Sequence, residues 1–408
     1  MSIKTVNVLL NHYGTELFVG KLAYKKRRIY FEYDLEFLKK GIALSPYKLP
    51  LKSGLFVCDD NVFEGLYGLF GDSMPDGWGR LLLDRHFLKN GIGYSEITPL
   101  DRLSYIGLYG TGALRYEPVI DSNKHDALTK IDLDLLSSGS MEILKGASEK
   151  MLDDLLTLGG SSAGARPKVM IQLSSDQKSI IHGNSALKDG FEHWMVKFAS
   201  SLDMQEIGKV EYVYALMAKD AKVLMSETTL LETKNSAYFA TKRYDRVGDD
   251  RVHCHSVAGL THSDFRVPTL DYDDLLGLTL HLSKDKNELV KMFRLAVFNL
   301  YTHNRDDHAK NFSFYLTKEH DWKLTPAYDL TFSSGPGGEH STTYLGEGKN
   351  PSSSHLMELA QKHNIKNAED IIEEIQGVVR NFNAYAKSVG LKKSTMKNIN
   401  NTLQGLRL

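Results

Sequence analysis

Between Thr302 and Ser313 the chain reads THNRDDHAKNFS, which places Asp306, Asp307, His308, Lys310 and Asn311 within one short polar stretch. Asp306 and Asn311 stand five positions apart, the separation of the catalytic Asp and the metal-binding Asn in a protein-kinase catalytic loop. A further acid, Asp329, follows in LTPAYDLTFSS. Phosphoryl transfer needs a carboxylate that orients the attacking hydroxyl and takes its proton, and oxygen ligands around magnesium. The spacing therefore assigns Asp306 as the base, with Asn311 and Asp329 as the magnesium ligands. Asp307 is an alternative base, one residue short of that spacing. The competing plain reading is a polar loop whose Asp and Asn residues only build turns.

These residues need elements to hold them. An apolar helical run precedes the loop (Val290, Met292, Phe293, Leu295, Val297, Phe298, Leu300), and strand-like pieces follow at Phe312–Leu316 and Trp322–Leu324. Upstream, Trp194, Val196 and Phe198 alternate around Lys197 in HWMVKFAS. That pattern is a strand with Lys197 opposite the apolar face, the placement of the kinase strand lysine that pairs with nucleotide phosphates. A helix beginning at Glu211 offers that lysine a carboxylate, as a kinase αC glutamate does; a surface glutamate is the alternative. Before this strand lies GGSSAGARPKVMIQL, residues 159–173, whose small residues let backbone N–H groups cradle phosphate. It lacks the glycine spacing of a Walker loop. The strands expected at 228–233 and 237–245 place AYFATKRYDR where a hinge behind an adenine pocket belongs.

The N-terminal third reads differently. Val6, Val8 and Leu10 alternate, a turn follows at 12–14, and further strands run to Tyr33. Asp76 is positioned to cap a helix carrying Trp78, Leu81, Leu82 and Leu83. YIGLYGTGALRY, residues 105–116, predicts tight turns ahead of an apolar strand rather than a phosphate loop, because no helix start follows its glycines. Residues 118–140 are polar and predict a linker or surface excursion. A helix is expected from about Met141 to Leu158, stopped by Gly159-Gly160. His253 and His255 flank Cys254, which raises zinc, but no second paired cluster accompanies them. Helices are expected from 268 to the central loop and again at 355–363, 368–388 and 393–405.

Composition narrows the class. With 42% hydrophobic and 25% charged residues the chain is ordinary globular protein, long enough for two or three domains. A net charge of −1 gives no general attraction to nucleic acid. Two cysteines, Cys58 and Cys254, exclude a disulfide framework and a Cys-rich zinc site and fit a reducing cytoplasm. The first residues lack a signal-peptide core, and no apolar run approaches a membrane span.

In this order SSAGARPK, MVKFA, KRYDR, NRDDHAKNF and PAYDL resemble the HipA family, bacterial serine/threonine kinases that serve as toxins of type II toxin–antitoxin modules. PDGWGRLLLDR and YGTGAL resemble that family's N-terminal domain, so the resemblance spans nearly the whole chain. It implies that Ser161, Ser162, Ala163, Gly164, Ala165 and Lys168 form the phosphate-binding loop. Ser161, or else Ser162, would be an autophosphorylated serine whose modification ejects the loop. Lys197 matches the nucleotide lysine, and Lys242 and Tyr244 match the adenine hinge. Asp306, Asn311 and Asp329 match the base and metal ligands, with His308 and Lys310 in the same ATP-binding motif. The chain departs from the best-known members at Arg166-Pro167, where they have Gln-Glu, which bears on loop regulation more than on catalysis. The resemblance further implies ATP and Mg2+ as cofactors. It implies a small helix-turn-helix antitoxin (HipB-like) with operator DNA behind it, and protein substrates such as an aminoacyl-tRNA synthetase.

The expected fold is α+β, protein-kinase-like and two-lobed, with an N-terminal mainly β subdomain and a helical C-terminal lobe. The expected division is 1–140, a nucleotide-binding part at 141–248, and a catalytic lobe at 249–408. Two other functions stay open: a pseudokinase acting only as a partner of a DNA-binding antitoxin, and a small-molecule kinase with the same Asp/Asn/Asp logic.

Overall fold

The computed structural model describes residues 3–120, 131–148, 150–162, 164–184, 186–204 and 206–406. Strands β1 (Thr5–His12), β2 (Thr15–Lys25), β3 (Arg28–Tyr33), β4 (Leu55–Val57) and β5 (Leu114–Glu117) form an antiparallel sheet in the order β4-β3-β2-β1-β5. The alternation in β1 is realised in full: Val6, Val8 and Leu10 are completely buried while their neighbours face outward, as a strand's period of two requires. Between β3 and β5 come α1 (Leu35–Lys39), α2 (Gly68–Gly71), α3 (Gly77–Lys89) and α4 (Pro99–Ile106). Thr98 caps α4 by accepting from the Asp101 N–H, with Pro99 in the first turn.

The stretch expected as a linker and one long helix is different. Two helices, α5 (Leu133–Lys145) and α6 (Leu152–Gly159), occupy it, and α5 begins inside the expected linker. The break falls at Gly146, which ends α5 in the left-handed conformation that glycine adopts without steric cost. Much of the remaining expected linker, 121–130, lies outside the described residues.

A second antiparallel sheet follows, made of β6 (Lys168–Ser174), β7 (Ile180–His182), β8 (Phe191–Lys197), β9 (Thr228–Glu232) and β10 (Ala237–Lys242) in the order β7-β6-β8-β10-β9. Its two faces have opposite chemistry. Val169, Ile171, Trp194, Val196 and Ala240 line one face and share a core with Trp78 and Leu82 of α3 and Leu152 and Leu155 of α6. The register sets Lys168 opposite Lys197, and Lys197 opposite Phe239. Directly paired residues share a face, so both lysines lie on the side away from that core. Helix α7 (Ile207–Asp220) connects β8 to β9. It starts a turn earlier than expected, which moves Glu211 from the helix start to its second turn.

The rest is mainly helical. After the two-stranded pair β11 (Arg246–Val247) and β12 (Asp250–Arg251) come β13 (Cys254–Ser256), α8 (Val257–Thr261), β14 (Leu270–Asp271), α9 (Tyr272–Ser283) and α10 (Lys286–Tyr301). Strands β15 (Ser313–Leu316) and β16 (Trp322–Leu324) join β13 in a small sheet, and β17 (Thr342–Thr343) pairs with β14. Helices α11 (Ser353–Lys362), α12 (Ala368–Arg380), α13 (Phe382–Ser388) and α14 (Lys393–Gly405) finish the chain. One apolar core runs from β1–β3 through α7 to α9, α10 and these last helices. The architecture is thus α+β and two-lobed, with a β-rich N-terminal part and a helical C-terminal lobe. Among the described residues no helix is long and apolar enough to cross a membrane.

Candidate active site

Helix α10 buries Met292, Phe293, Ala296, Val297 and Leu300 and so delivers the loop after Tyr301 at a fixed place. Tyr214 of α7 donates to the Thr302 carbonyl at 2.6 Å, and Ser333 N–H donates to the His303 carbonyl at 3.1 Å. The loop bearing Asp306 and the segment after Asp329 are therefore tied together by backbone pairing.

The two adjacent acids of this loop have opposite surroundings. Asp307 is 1% exposed. Its carboxylate accepts from Tyr272 Oη at 2.8 Å, Ser341 N at 2.9 Å and Thr342 N at 3.2 Å, and lies 2.9 Å from His340 Nδ1. With its lone pairs occupied and no path to solvent, Asp307 holds the 340–342 segment and cannot take a substrate proton. The Asp306 side chain is 57% exposed. Even so, partial desolvation in the cleft raises its pKa, and the Asp329 charge raises it further against His308 and Arg166. Asn311 donates its side-chain amide to the Asp306 carbonyl at 2.7 Å, which leaves the amide oxygen free of that bond. His308 places Nε2 4.0 Å from the Asp306 carboxylate, and its Nδ1 accepts from Lys310 N at 3.3 Å.

Facing this loop, the lysines of β6 and β8 meet Asp329. Lys197 pairs with Glu211 at 3.1 Å and contacts Asp329 directly. Burial disfavours its charge, but Asp329 and Glu211 outweigh that and raise its pKa. Burial also opposes the charge of Asp329, yet Lys197, Lys168 and Arg166 hold it well below the usual carboxylate range. Lys168 is pushed down, chiefly by burial and also by the Lys197 charge. Asp329 itself adopts φ +57°, the left-handed region that non-glycine residues rarely enter; its backbone turns so that its carboxylate reaches Lys197. The preceding Tyr328 fixes it from behind: its hydroxyl donates to the Lys310 carbonyl at 2.6 Å, and its ring stacks on Tyr244 with centroids 5.7 Å apart.

The segment 160–168 closes the cleft. Ser161 Oγ donates to the Tyr109 carbonyl at 2.9 Å and Ser162 Oγ to the Gly159 carbonyl at 2.6 Å. Ser162 is 1% exposed, whereas Ser161 is half-buried. Ala163 lies outside the described residues. Gly164, at φ +91°, has the Lys168 ammonium where a Cβ would stand. Ala165 is exposed and backs onto Gly77, where a Cβ would collide with it.

Two contributors escaped the sequence reading. Asp76 occupies the cap position of α3 but makes no capping bond; its carboxylate instead accepts from Gly164 N and pairs with Lys310. Arg166, visible in the sequence only as a departure from a family pattern, pairs with Glu211 and, at 3.0 Å, with Asp203. Lys310 also lies 4.2 Å from the Phe265 ring. Lys242 behaves differently from the other sequence-selected residues. The register pairs it with Trp194, so its side chain emerges on the sheet face opposite Lys197, where it pairs with Glu192 at 2.6 Å and Glu227 at 3.2 Å.

The histidines around Cys254 are separately employed. His253 Nε2 lies 3.0 Å from the Leu44 carbonyl, and His255 contacts Asp72 at 2.5 Å and Ser45 Oγ at 3.0 Å. They hold the N-terminal part against β13 and do not converge on a metal. The glycines of 107–112 do make turns: Gly107 and Gly112 have positive φ, and the Gly110 and Gly112 carbonyls accept from Arg246 and Arg251.

Sequence families match at both ends. The HipA N-terminal domain model matches residues 10–117 and the HipA-like C-terminal domain model matches residues 160–382. The HipA of Shewanella oneidensis MR-1, solved as a toxin–antitoxin complex with HipB and operator DNA, is 17% identical with a TM-score of 0.69, over 98% of this chain and 96% of that one. This likeness is one of fold. The Helicobacter pylori proinflammatory kinase CtkA is 13% identical over 54% of this chain and 85% of its own, with a TM-score of 0.37 that is too low to bear on the argument. No functionally curated protein matches the chain.

Proposed function

This chain belongs to the HipA family, and from that premise we propose that it is an ATP-dependent serine/threonine protein kinase acting as the toxin of a type II toxin–antitoxin module. The observation that carries the reading is the Lys197–Glu211–Asp329 cluster facing an exposed Asp306 whose buried neighbour Asp307 is otherwise engaged. The donor set fits magnesium ATP: Lys168, Lys197 and Arg166 offer cations to a polyphosphate, and Asn311 and Asp329 offer hard oxygen ligands. When bound, magnesium ATP supplies the γ-phosphoryl group and neutralises charge as it moves.

The chain's own residues do the remainder. Asp306 takes the proton of the attacking serine or threonine hydroxyl as that oxygen bonds to the γ-phosphorus, the bond to the β-phosphate oxygen breaks, and ADP leaves. Asn311 and Asp329 would hold magnesium, and Lys197, kept in place by Glu211, would set its ammonium against the phosphates. Lys168 offers its ammonium from the start of β6, and Asp76 holds the Gly164 N–H and Lys310 in place beside it. Tyr244 acts through Tyr328 on the position of Asp329.

The same reading makes Ser161 the autophosphorylation site, since it is the more accessible loop serine. It gives the chain a HipB-like antitoxin and operator DNA as partners, on the strength of the Shewanella complex. It assigns a cytoplasmic place, where Cys58 and Cys254 stay free, and a protein substrate of the aminoacyl-tRNA synthetase kind. The test is transfer of labelled γ-phosphate by the purified chain, alone and with bacterial lysate. Label on the chain at residues 159–168 and on a lysate protein, both lost in Asp306→Asn, is expected. ATP consumption with small hydroxyl compounds and no labelled protein would overturn the reading in favour of a small-molecule kinase.

A further inference from the structure

Helix α3 begins without the cap its sequence leads one to expect. The first N–H groups of a helix have no partner within it, and an Asp just before them ordinarily accepts one. Asp76 has the extended backbone of a cap, φ −127° and ψ 174°, yet its side chain makes no capping bond. The acceptor comes from a distant segment: the Trp78 N–H donates to the Gly164 carbonyl at 3.0 Å. In exchange, Asp76 Oδ1 accepts the Gly164 N–H while Oδ2 pairs with Lys310. Gly164 is therefore bonded at both its N–H and its carbonyl to the start of α3.

Shape supports the same contact. Gly77 stands at φ +44°, and a Cβ on it would lie 2.6 Å from the Gly164 carbonyl oxygen. A Cβ on Gly79 would overlap the Ser162 carbonyl oxygen and lie 3.0 Å from that of Gly160. Three backbone carbonyls of the phosphate-binding segment thus rest on the first turn of α3, with no room for a side chain between. The other side of Gly164 faces the Lys168 ammonium.

We propose that the first turn of α3 is the seat of the phosphate-binding segment, and that the N-terminal part of the chain sets nucleotide affinity through it. Asp76 is a positioning residue: one carboxylate joins the segment above Lys168 to Lys310 of the loop that carries Asp306. The Asp76 and Lys310 side chains are only 16% and 13% exposed, so solvent screens their pair little. The coupling is reciprocal: a ligand held by the segment steadies the start of α3, and a disturbed helix start weakens the ligand. Withdrawal of the segment leaves the Asp76 carboxylate free to cap its own helix, so unseating does not require α3 to unfold. That the seated segment serves a nucleotide rests on the function proposed above; the seat itself does not.

Hydrogen exchange of the full-length chain without nucleotide reads the seat, and calorimetric titration with magnesium ATP reads its consequence. Asp76→Ala removes both bonds. Asp76→Asn keeps a neutral acceptor for Gly164 and loses the charge facing Lys310. Gly79→Ala obstructs the seat by bulk alone, and alanine is the better helix former. Asp76→Ala and Gly79→Ala should each speed amide exchange at 159–168 and weaken ATP binding by about tenfold, the equivalent of about 1.4 kcal/mol. Asp76→Asn should fall between them and wild type. Melting temperatures should stay close to wild type, which separates unseating from unfolding. Unchanged exchange at 159–168 in folded Asp76→Ala and Gly79→Ala would overturn the seat. Faster exchange with unaltered ATP affinity would overturn its role in binding. A wild-type chain that binds no ATP would overturn the function proposed above, and the exchange measurement decides the seat regardless.

Discussion

Two charged clusters of this protein look alike in composition and differ in completion. In the first, Asp245 accepts from Arg243 at 2.9 and 2.8 Å, from Arg246 at 2.7 Å and from Gly112 N at 2.8 Å. Arg251 meanwhile bonds the Gly112 carbonyl at 2.9 Å and the Leu108 carbonyl at 2.6 Å. Burial works against the Asp245 charge, but Arg243 and Arg246 hold its pKa far below the usual range. In the second, Lys168, Lys197 and Arg166 face Asp329 and Glu211, and Asp306 stands beside them with most of its carboxylate open to solvent. The first is closed upon itself and fastens the glycine turns of 107–112 to the core. The second leaves Asp306 open to solvent, with His308 beside it at 4.0 Å. A buried ionic network with every lone pair matched is a fastening; one with an unmatched, accessible member is a candidate for chemistry.

The largest effect should separate the clusters outright. Asp306→Asn is expected to lower phosphoryl transfer by about 10²–10⁴-fold, the usual worth of a positioned proton acceptor, with an unchanged melting temperature. Activity retained in Asp306→Asn together with activity lost in a folded Asp307→Asn would reverse the assignment of the two acids. Next in size, Asp245→Asn should leave nucleotide binding intact in whatever fraction folds while costing about 3–5 kcal/mol of stability, as removal of one partner from a buried network does; urea denaturation measures this. A loss well under 1 kcal/mol would show that the network is not a fastening.

The two carboxylates should also part in acid. Asp245 titrates lower folded than unfolded, so its contribution to stability is present above the unfolded value of about 3.9 and fades as pH falls below it. Asp306 titrates higher in the fold, and its carboxylate form is the one that accepts a proton. Activity should therefore decline on acidification before the fold does. A pH–rate profile set beside melting curves shows the order, and coincident losses would mean that unfolding alone sets the acid limb.

The smallest effect concerns the loop. Ser161 donates to the Tyr109 carbonyl, and a carboxylate placed there would face that oxygen and the nucleotide phosphates. Ser161→Asp should weaken ATP binding about tenfold, or about 1.4 kcal/mol, and Ser161→Ala should not. Calorimetric titration giving equal affinities would remove any charge-driven switch at this serine.

Much of this arrangement was legible in the residues because the signals were local. Period-two alternation marked β1 and β8, the apolar run before Thr302 marked α10, and the five-residue spacing of Asp306 and Asn311 survived as a direct bond between them. Local signals failed where a partner came from afar. Asp76 is an ordinary helix cap by sequence, and its carboxylate goes instead to Gly164 and Lys310. Gly146 divides a run that periodicity alone joins into one helix. Cys58, which has no histidine near it in sequence, lies 3.9 Å from His262 Nδ1.

The sequence by itself pointed to the two-lobed α+β architecture through periodicity, to the family through its motifs, and to Asp306 over Asp307 as the residue at kinase spacing, because these signals lie within single segments. Only the tertiary structure decided which lysines face one another, that Lys242 turns its side chain away from the cleft, that Asp307 is enclosed, and that Asp60 meets His262. Those facts depend on strand register and on close approaches such as Gly68 on Gly259, and register is set by the packing of whole sheets and helices rather than by any neighbour in the chain.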